Sequence, residues 1–404
     1  MRHHPAVTQA FRGKNRMVLN GLDIFLQNPD SFRNRRIGLI ANQTSVTFDL
    51  RYSWTCLRKL GLGPVRIFSP EHGLFATEQD QIAVGSQPAI ECEIVSLYGE
   101  SQETLLPEKS ILRDLDLVLF DIQDVGARYY TYVNTLALFM EAIQGLDIEI
   151  MVLDRPNPLG GTLVEGPLLD PAFHSFVGLM PVPVRHGLTA GELAHFYRDY
   201  KKLDLNLSVV PMQGWSRSML FPDTGLFWVP PSPNMPSFPV AEVYPGMCLF
   251  EGLNVSEGRG TATPFLLSGA PFINPFDLAE KLASCRIDGV VFRPVWYRPT
   301  FHKFSNEVIG GIFLHVTSRN LFRPFACAVA MTGAIRELYP EHLRFLDGVY
   351  EFNSTIPAFD LLAGSSAIRS LILEGTDIET ILGSWENDEA GFAAVKPNFH
   401  LYDN

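Results

Sequence analysis

Through the first half of the chain, short unbroken apolar runs alternate with stretches whose apolar residues recur at helical spacing. IGLIANQ (37–43) reads as a strand, and LRYSWTCLRKLG (50–61) after it reads as a helix. VRIFSPEHG (65–73) is a second strand ending in polar residues, and EIVSLYG (93–99) is a third. DLVLFDIQD (116–124) and IEIMVLDRP (148–156) are apolar along their length, as strands buried on both faces of a parallel sheet must be. Between them, TYVNTLALFMEAIQG (131–145) has helical spacing with Gly145 as its stop signal. Thr189 and Glu192 form a T-x-x-E capping box that opens a helix through Tyr200, and LNLSVVPM (205–212) supplies a further strand. Strands alternating with helices predict an α/β fold with a doubly wound, mostly parallel sheet and right-handed crossovers.

The pattern changes between about 221 and 247, where Pro222, Pro230, Pro231, Pro233, Pro236, Pro239 and Pro245 predict an ordered, extended connection rather than helix or central strand. Beyond it the elements are mixed. Asn274 and Pro275 open a helix through Arg286, VVFRPVWYRP (290–299) and IGGIFLHVTS (309–318) read as strands, and a long helix spans Pro324 to Leu338. Two further helices follow, the last opening at Thr376 with Glu379 three residues on. At 404 residues the chain exceeds the roughly 250–300 at which one core usually stops growing. The expected organisation is an extension over 1–20, a sheet domain over 21–236, and a smaller α+β domain over 237–404.

Composition narrows the partners. A net charge of −12 argues against nucleic acid, whose phosphates require a basic surface. Cys56, Cys92, Cys248, Cys285 and Cys327 are widely spaced with no CxxC pair, which fits a reducing compartment. No secretory signal is visible near the start and no run of 18 or more apolar residues suggests a membrane span, so the expected location is cytoplasmic.

Candidate chemistry gathers where the apolar runs end. Open α/β sheets bind ligands beyond the carboxyl ends of their strands. There the chain places SPEHGLF (69–75), DIQDVGARYYTY (121–132) and DRPNPLGG (154–161). Glu71, flanked by apolar residues, suits a general acid or base, and a loop ion pair or helix cap accounts for it equally well. Glu71 and His72 with Asp121 and Asp124 would also form a metal set, but no HxH, HExxH or Cys/His cluster supports one, and neither metal nor cofactor is expected. Asp121, Asp124, Arg128, Tyr129 and Tyr130 form the densest polar and aromatic group, suited to sugar hydroxyls and ring faces. An Asp121–Arg128 ion pair is the structural alternative. Arg155 offers a planar fork to a carboxylate, or a salt bridge to Asp154 or Asp121. Asn157 belongs to the turn after it, Arg185 and His186 precede the capping box, and Glu192 is most simply its capping residue. FEGLNVSEGRGT (250–261) adds Asn254, Ser256, Glu257 and Arg259, with Gly258 and Gly260 allowing close approach of backbone to a ligand. It is not a phosphate-binding loop, and the absence of a GxSxG elbow disfavours a serine hydrolase.

SPEHGLF, DIQDVGARYYTY, DRPNPLGG, VRHGLTAGE (184–192) and EGLNVSEGRGT, in this order, resemble the exo-β-N-acetylmuramidase (NamZ) family, once a family of unknown function. The resemblance runs from Gly21 to about Tyr402 and is less specific after about Leu321. It implies a Rossmann-like N-terminal domain, a smaller C-terminal domain and an active-site cleft between them. It implies hydrolysis of a terminal N-acetylmuramic acid (MurNAc) from the non-reducing end of peptidoglycan fragments such as MurNAc–GlcNAc, with Glu71 as the leading catalytic carboxylate. Several members carry an export signal. The lack of a visible one here implies recycled cytoplasmic muropeptide sugars as substrate and a role in cell wall recycling.

The residues suit that reaction. Glycoside hydrolysis usually needs two carboxyl groups, about 5–5.5 Å apart for retention and roughly 6.5–9.5 Å for inversion, although a 2-acetamido group also serves as nucleophile in substrate-assisted families. Glu71 is the candidate acid. Its partner is open among Asp121, Asp124, Glu251 and Glu257, with Asp124 and Glu257 favoured. Arg155, Arg185 and Arg259 are the available cations for the lactyl carboxylate. A non-catalytic sugar-binding protein using the same cleft is the alternative reading.

Overall fold

The computed structural model describes residues 17–85, 87 and 90–403. Most of the expected 1–20 extension therefore lies outside the described residues. Its last residues are packed: the Val18 amide donates to Thr224 O, and Leu19 pairs with Gln213.

Six parallel strands form the larger sheet: β1 (Ile37–Ala41), β2 (Arg66–Ser69), β3 (Glu93–Ser96), β4 (Leu117–Asp121), β5 (Glu149–Leu153) and β6 (Asn206–Val210). Their order is β3-β2-β1-β4-β5-β6. The chain steps outward from β1 to β3, then returns to lay β4 on the other side of β1. The loops after β1 and β4 diverge there, leaving a crevice at the carboxyl ends of the strands. β1 and β4 are buried at every residue, which explains their unbroken apolar character.

Helices α1 (Gly21–Phe25), α2 (Ser53–Lys59), α3 (Thr131–Ile143) and α4 (Ala190–Lys201) accompany this sheet. The capping box at Thr189 forms as its sequence predicts, with Glu192 reaching back to the Thr189 amide. α3 stops at Ile143, two residues before Gly145, which adopts a φ of +73°.

The proline-rich segment is only partly extended. Residues 238–247, expected to lack helix, form α5 (Phe238–Met247), with Pro239 in its first turn and Pro245 inside. Proline is tolerated early because the first helical N–H groups have no partner inside the helix. Near Pro245, carbonyls find an outside donor, since the Tyr129 hydroxyl donates to the carbonyls of Tyr244 and Pro245.

A smaller antiparallel sheet, ordered β7-β9-β8, contains β7 (Leu267–Ala270), β8 (Val290–Tyr297) and β9 (Ile309–Val316). α6 (Pro275–Ser284) packs on this sheet, and α7 (Pro324–Leu338) packs on α5 and α6. Four short helices follow where two were expected: α8 (Ala358–Ala363), α9 (Ala367–Glu374), α10 (Ile378–Gly383) and α11 (Glu386–Val395). Gly364 and Gly375, both left-handed, break this stretch into shorter pieces, and α10 is capped by Asp377 rather than Thr376. The largest apolar cluster runs from Ile40 and Phe120 through Tyr244 and Phe250 to Phe325 and Leu362, across both sheets' surroundings. No helix of the described residues is long and apolar enough to cross a membrane.

Candidate active site

Beyond the carboxyl end of β2 the chain turns sharply. The Gly73 amide closes on Pro70 O at 3.0 Å, and His72 and Gly73 both take positive φ, +68° and +83°. This turn leaves Glu71 4% exposed, facing a cavity that it lines together with Tyr130, Thr131 and Arg259. Glu71 Oε2 accepts the Thr131 hydroxyl at 2.6 Å, and Oε1 faces the Gln81 amide at 3.4 Å. Thr131 is the first residue of α3, so the carboxylate also lies at the positive end of a helix dipole. His72 turns its Nδ1 to Glu78 O at 2.9 Å.

The opposite wall comes from the second half of the chain. Arg259 presents Nη2 to Glu251 Oε1 at 2.6 Å and Nη1 to Asp80 Oδ1 at 2.9 Å, with its Nε 3.3 Å from Glu257 Oε1. Its guanidinium also stands 5.1 Å from the centre of the Phe265 ring. The Tyr350 hydroxyl donates to the other Glu251 oxygen at 2.6 Å. Burial pushes the Glu251 carboxyl upward while Arg259 opposes it. Burial works against ionisation of Glu257 too, but Lys303, His302 and Arg259 outweigh it and hold that carboxyl far below the usual range. Glu351 completes this wall, accepting the Tyr98 hydroxyl at 3.0 Å. A neighbouring depression, reaching His302 and Lys303, shares Asp80, Glu251 and Tyr350 with the cavity.

Of the sequence-derived candidates, Glu71, His72, Tyr129, Tyr130 and Arg259 line the cavity together. Glu257 sits behind Arg259, engaged by Arg259, Lys303 and the His302 ring. The others do not line this cavity, and their side chains are engaged within the fold. Asp121 is fully buried and pairs with Arg155 at 2.6 Å, so the ion partner of Asp121 is Arg155 and not Arg128. Arg155 borders a separate, smaller depression near Thr44, Phe48 and Trp228. Arg128 donates to the carbonyls of Pro167, Val182 and Leu362. Asp124 accepts the Gly126 amide at 2.7 Å, and burial pushes its carboxyl up to about 7. Asn157 ties Leu159 N to Leu188 O, Arg185 donates to Leu159 O, and His186 accepts the Leu188 amide, its ring pushed down to about 3 by burial. Asn254 fastens residues 342 and 344, and Ser256 accepts the Gly258 amide.

The sequence reading passed over Asp80, Ser232, Asn234, Tyr350 and Glu351, all on the cavity wall, and held Glu251 only as a possible partner. Thr131 stood inside a recognised motif, and its position three residues past Arg128 at a helix start was the available signal. The rest lie in loops with no periodic pattern.

Models of two families match the chain, the N-terminal part of exo-β-N-acetylmuramidase NamZ over residues 37–239 and its C-terminal part over 242–402. The chain belongs to the NamZ family. It is 40% identical to the peptidoglycan β-N-acetylmuramidase NamZ of Bacillus subtilis (strain 168) over 395 residues, 96% of this chain and 92% of that one. Two crystal structures of DUF1343 family proteins from Bacteroides fragilis NCTC 9343 share the NamZ-like fold. One is 30% identical with a TM-score of 0.87, the other 27% identical with a TM-score of 0.75, each covering 96% of this chain and all of its own.

Proposed function

We propose that this NamZ-family chain is an exo-acting β-N-acetylmuramidase, a glycoside hydrolase that removes the terminal non-reducing MurNAc from peptidoglycan fragments such as MurNAc–GlcNAc. The observation that carries the reading is Glu71: the carboxylate of the family motif SPEHGLF stands on a cavity walled by both halves of the chain. In this reading residues 21–236 supply Glu71 and the sheet edge, and residues 237–404 close over it. MurNAc occupies the cavity with its glycosidic bond beside Glu71. The adjoining depression toward His302 and Lys303 takes the remainder of the fragment. Among the three arginines considered for the lactyl carboxylate, Arg259 alone borders the cavity. The free thiols of all five cysteines suit a reducing compartment, which supports a cytoplasmic location and recycled muropeptide sugars as substrate.

Release of 4-nitrophenol from 4-nitrophenyl β-MurNAc, together with MurNAc and GlcNAc from the disaccharide, tests the activity. Glu71→Gln is expected to abolish both while leaving MurNAc binding measurable by calorimetry. Wild-type protein that binds MurNAc and cleaves neither substrate is instead a sugar-binding protein using the same cleft.

A further inference from the structure

Between α7 and α8 the segment Gly348–Ser354 folds back on itself, with Tyr350 and Asn353 exchanging backbone hydrogen bonds at 2.8 and 2.9 Å. At its tip Glu351 and Phe352 take φ of +46° and +65° in succession. Side chains with a Cβ rarely adopt that region, and such outliers cluster where a residue must be aimed. Each side chain of the tip has a separate anchor. Tyr350 reaches Glu251, Phe352 packs on Tyr98 and Phe176, and Glu351 takes the Tyr98 hydroxyl. The result places Glu351, 7% exposed, on the same cavity as Glu71.

We propose that Glu351 is the second catalytic carboxyl, the general acid that protonates the leaving glycosidic oxygen while Glu71 acts at the anomeric carbon. The assignment rests on the glycosidase reading above and moves the acid role from Glu71, where the sequence alone put it, to Glu351. Among the described residues no ion pair involves Glu351. The titratable groups acting most strongly on it are Glu71, Asp80, Tyr98 and Glu251, none of them cationic; Tyr350 also lies beside it, His72 lines the same cavity with its Nδ1 turned to Glu78 O, and Arg259 is held by Asp80, Glu251 and Glu257. Burial raises the Glu351 carboxyl far above its ordinary value, and the charge of Glu71 acts in the same direction. Two carboxyls confined in one cavity do not both ionise readily, which separates an acid from a base at one pH. In the reaction the C1–O bond breaks, its electron pair goes to the leaving oxygen, and that oxygen takes the proton of Glu351. Water delivers hydroxide to C1, and its remaining proton returns to the carboxyl pair.

The test compares kcat/KM for two leaving groups in wild type, Glu351→Gln and Glu71→Gln. A sugar hydroxyl needs protonation to depart and 4-nitrophenolate does not. For Glu351→Gln, kcat/KM for MurNAc–GlcNAc is expected to fall by about 10³-fold, the scale of general acid catalysis, with 4-nitrophenyl β-MurNAc changing less than about tenfold and the alkaline limb of the disaccharide pH profile disappearing. Glu71→Gln loses both substrates. Equal losses on both substrates in Glu351→Gln, or no loss on either, overturn the assignment while leaving the glycosidase reading intact. Wild-type protein inert on both overturns the two together. Tyr98→Phe provides a second arm if Glu351→Gln does not fold. Removing a donor that favours the ionised form moves the alkaline limb to higher pH, and an unmoved limb overturns the proposal.

Discussion

The Thr131 hydroxyl lies 2.6 Å from Glu71 Oε2, joining the first residue of α3 to the carboxylate beyond β2. One hydrogen bond thus fixes a side chain from one loop against the start of the next helix, and the second carboxylate oxygen faces the Gln81 amide at 3.4 Å. Hydrogen bonds to charged groups contribute about 1.5–3 kcal/mol, so Thr131→Val, close in shape, is expected to lower kcat/KM by about 10- to 100-fold. Steady-state kinetics with 4-nitrophenyl β-MurNAc checks this, beside a melting curve that reads the stability lost with the same hydrogen bond. Unchanged kinetics would mean that Thr131 does not orient Glu71.

Asp124 gives a pH signature. Its folded pKa is raised to about 7 by burial, opposed by the amides of Gly126 and Val125, against an unfolded value near 3.8. A raised folded value means that the full stability is present below the unfolded pKa and is lost as pH climbs through about 7. Asp124→Asn escapes that loss. Relative to wild type it should gain stability between about pH 4 and pH 7, on the order of 4 kcal/mol, and stay level above. Urea unfolding across that window reads the difference. The same variant should keep kcat within about tenfold, since Asp124 does not border the cavity.

Arg259 separates three carboxylates. Substituting Met leaves Asp80, Glu251 and Glu257 near one another without their shared guanidinium. Removing one partner of a buried ion pair typically costs about 3–5 kcal/mol, and a loss of that size is the expected outcome for Arg259→Met in urea. Arg259→Lys should lose less stability but cannot reproduce the fork that meets several carboxylates. If Arg259 also receives the lactyl group, calorimetry on the lysine variant will show MurNAc binding weakened far more than GlcNAc binding. Equal weakening rejects that role.

Gly260 was expected to let backbone approach a ligand, yet it approaches the chain itself. A Cβ there would stand 2.6 Å from Phe301 O and 2.8 Å from Phe301 N, at a φ of +78°. Gly260→Ala is therefore expected to destabilise the fold by about 1–3 kcal/mol and to disturb the adjoining His302–Lys303 segment. A melting curve and the KM for the disaccharide report the two effects.

How much could be read from the chain follows from what each feature depends on. β1, β4 and β5 announce themselves because burial on both faces demands uninterrupted apolar residues, and α7 spans Pro324–Leu338 as its pattern predicts. Glu71 was legible because a carboxylate ends an apolar strand run within a family motif. Arg128, Arg155 and Arg185 carry the same kind of signal, but their partners are backbone carbonyls and Asp121, choices that only packing decides. Glu351 was invisible for the converse reason. It occupies an aperiodic turn far along the chain from Glu71, and its aim depends on a left-handed backbone that its residue type does not advertise. The helix at Pro245 was missed because neighbouring carbonyls are satisfied by Tyr129, from a segment more than a hundred residues away.

Arg128 reaches the carbonyls of Pro167 and Val182 on one side and Leu362 on the other, and the largest apolar cluster extends through the same region. Severing the chain near residue 237 would strip that guanidinium of an acceptor and wet a broad greasy face on each fragment. The candidate cavity and the apolar contact between the halves thus share one seam, and a lesion on either side of it should be felt as a single melting transition of the whole molecule.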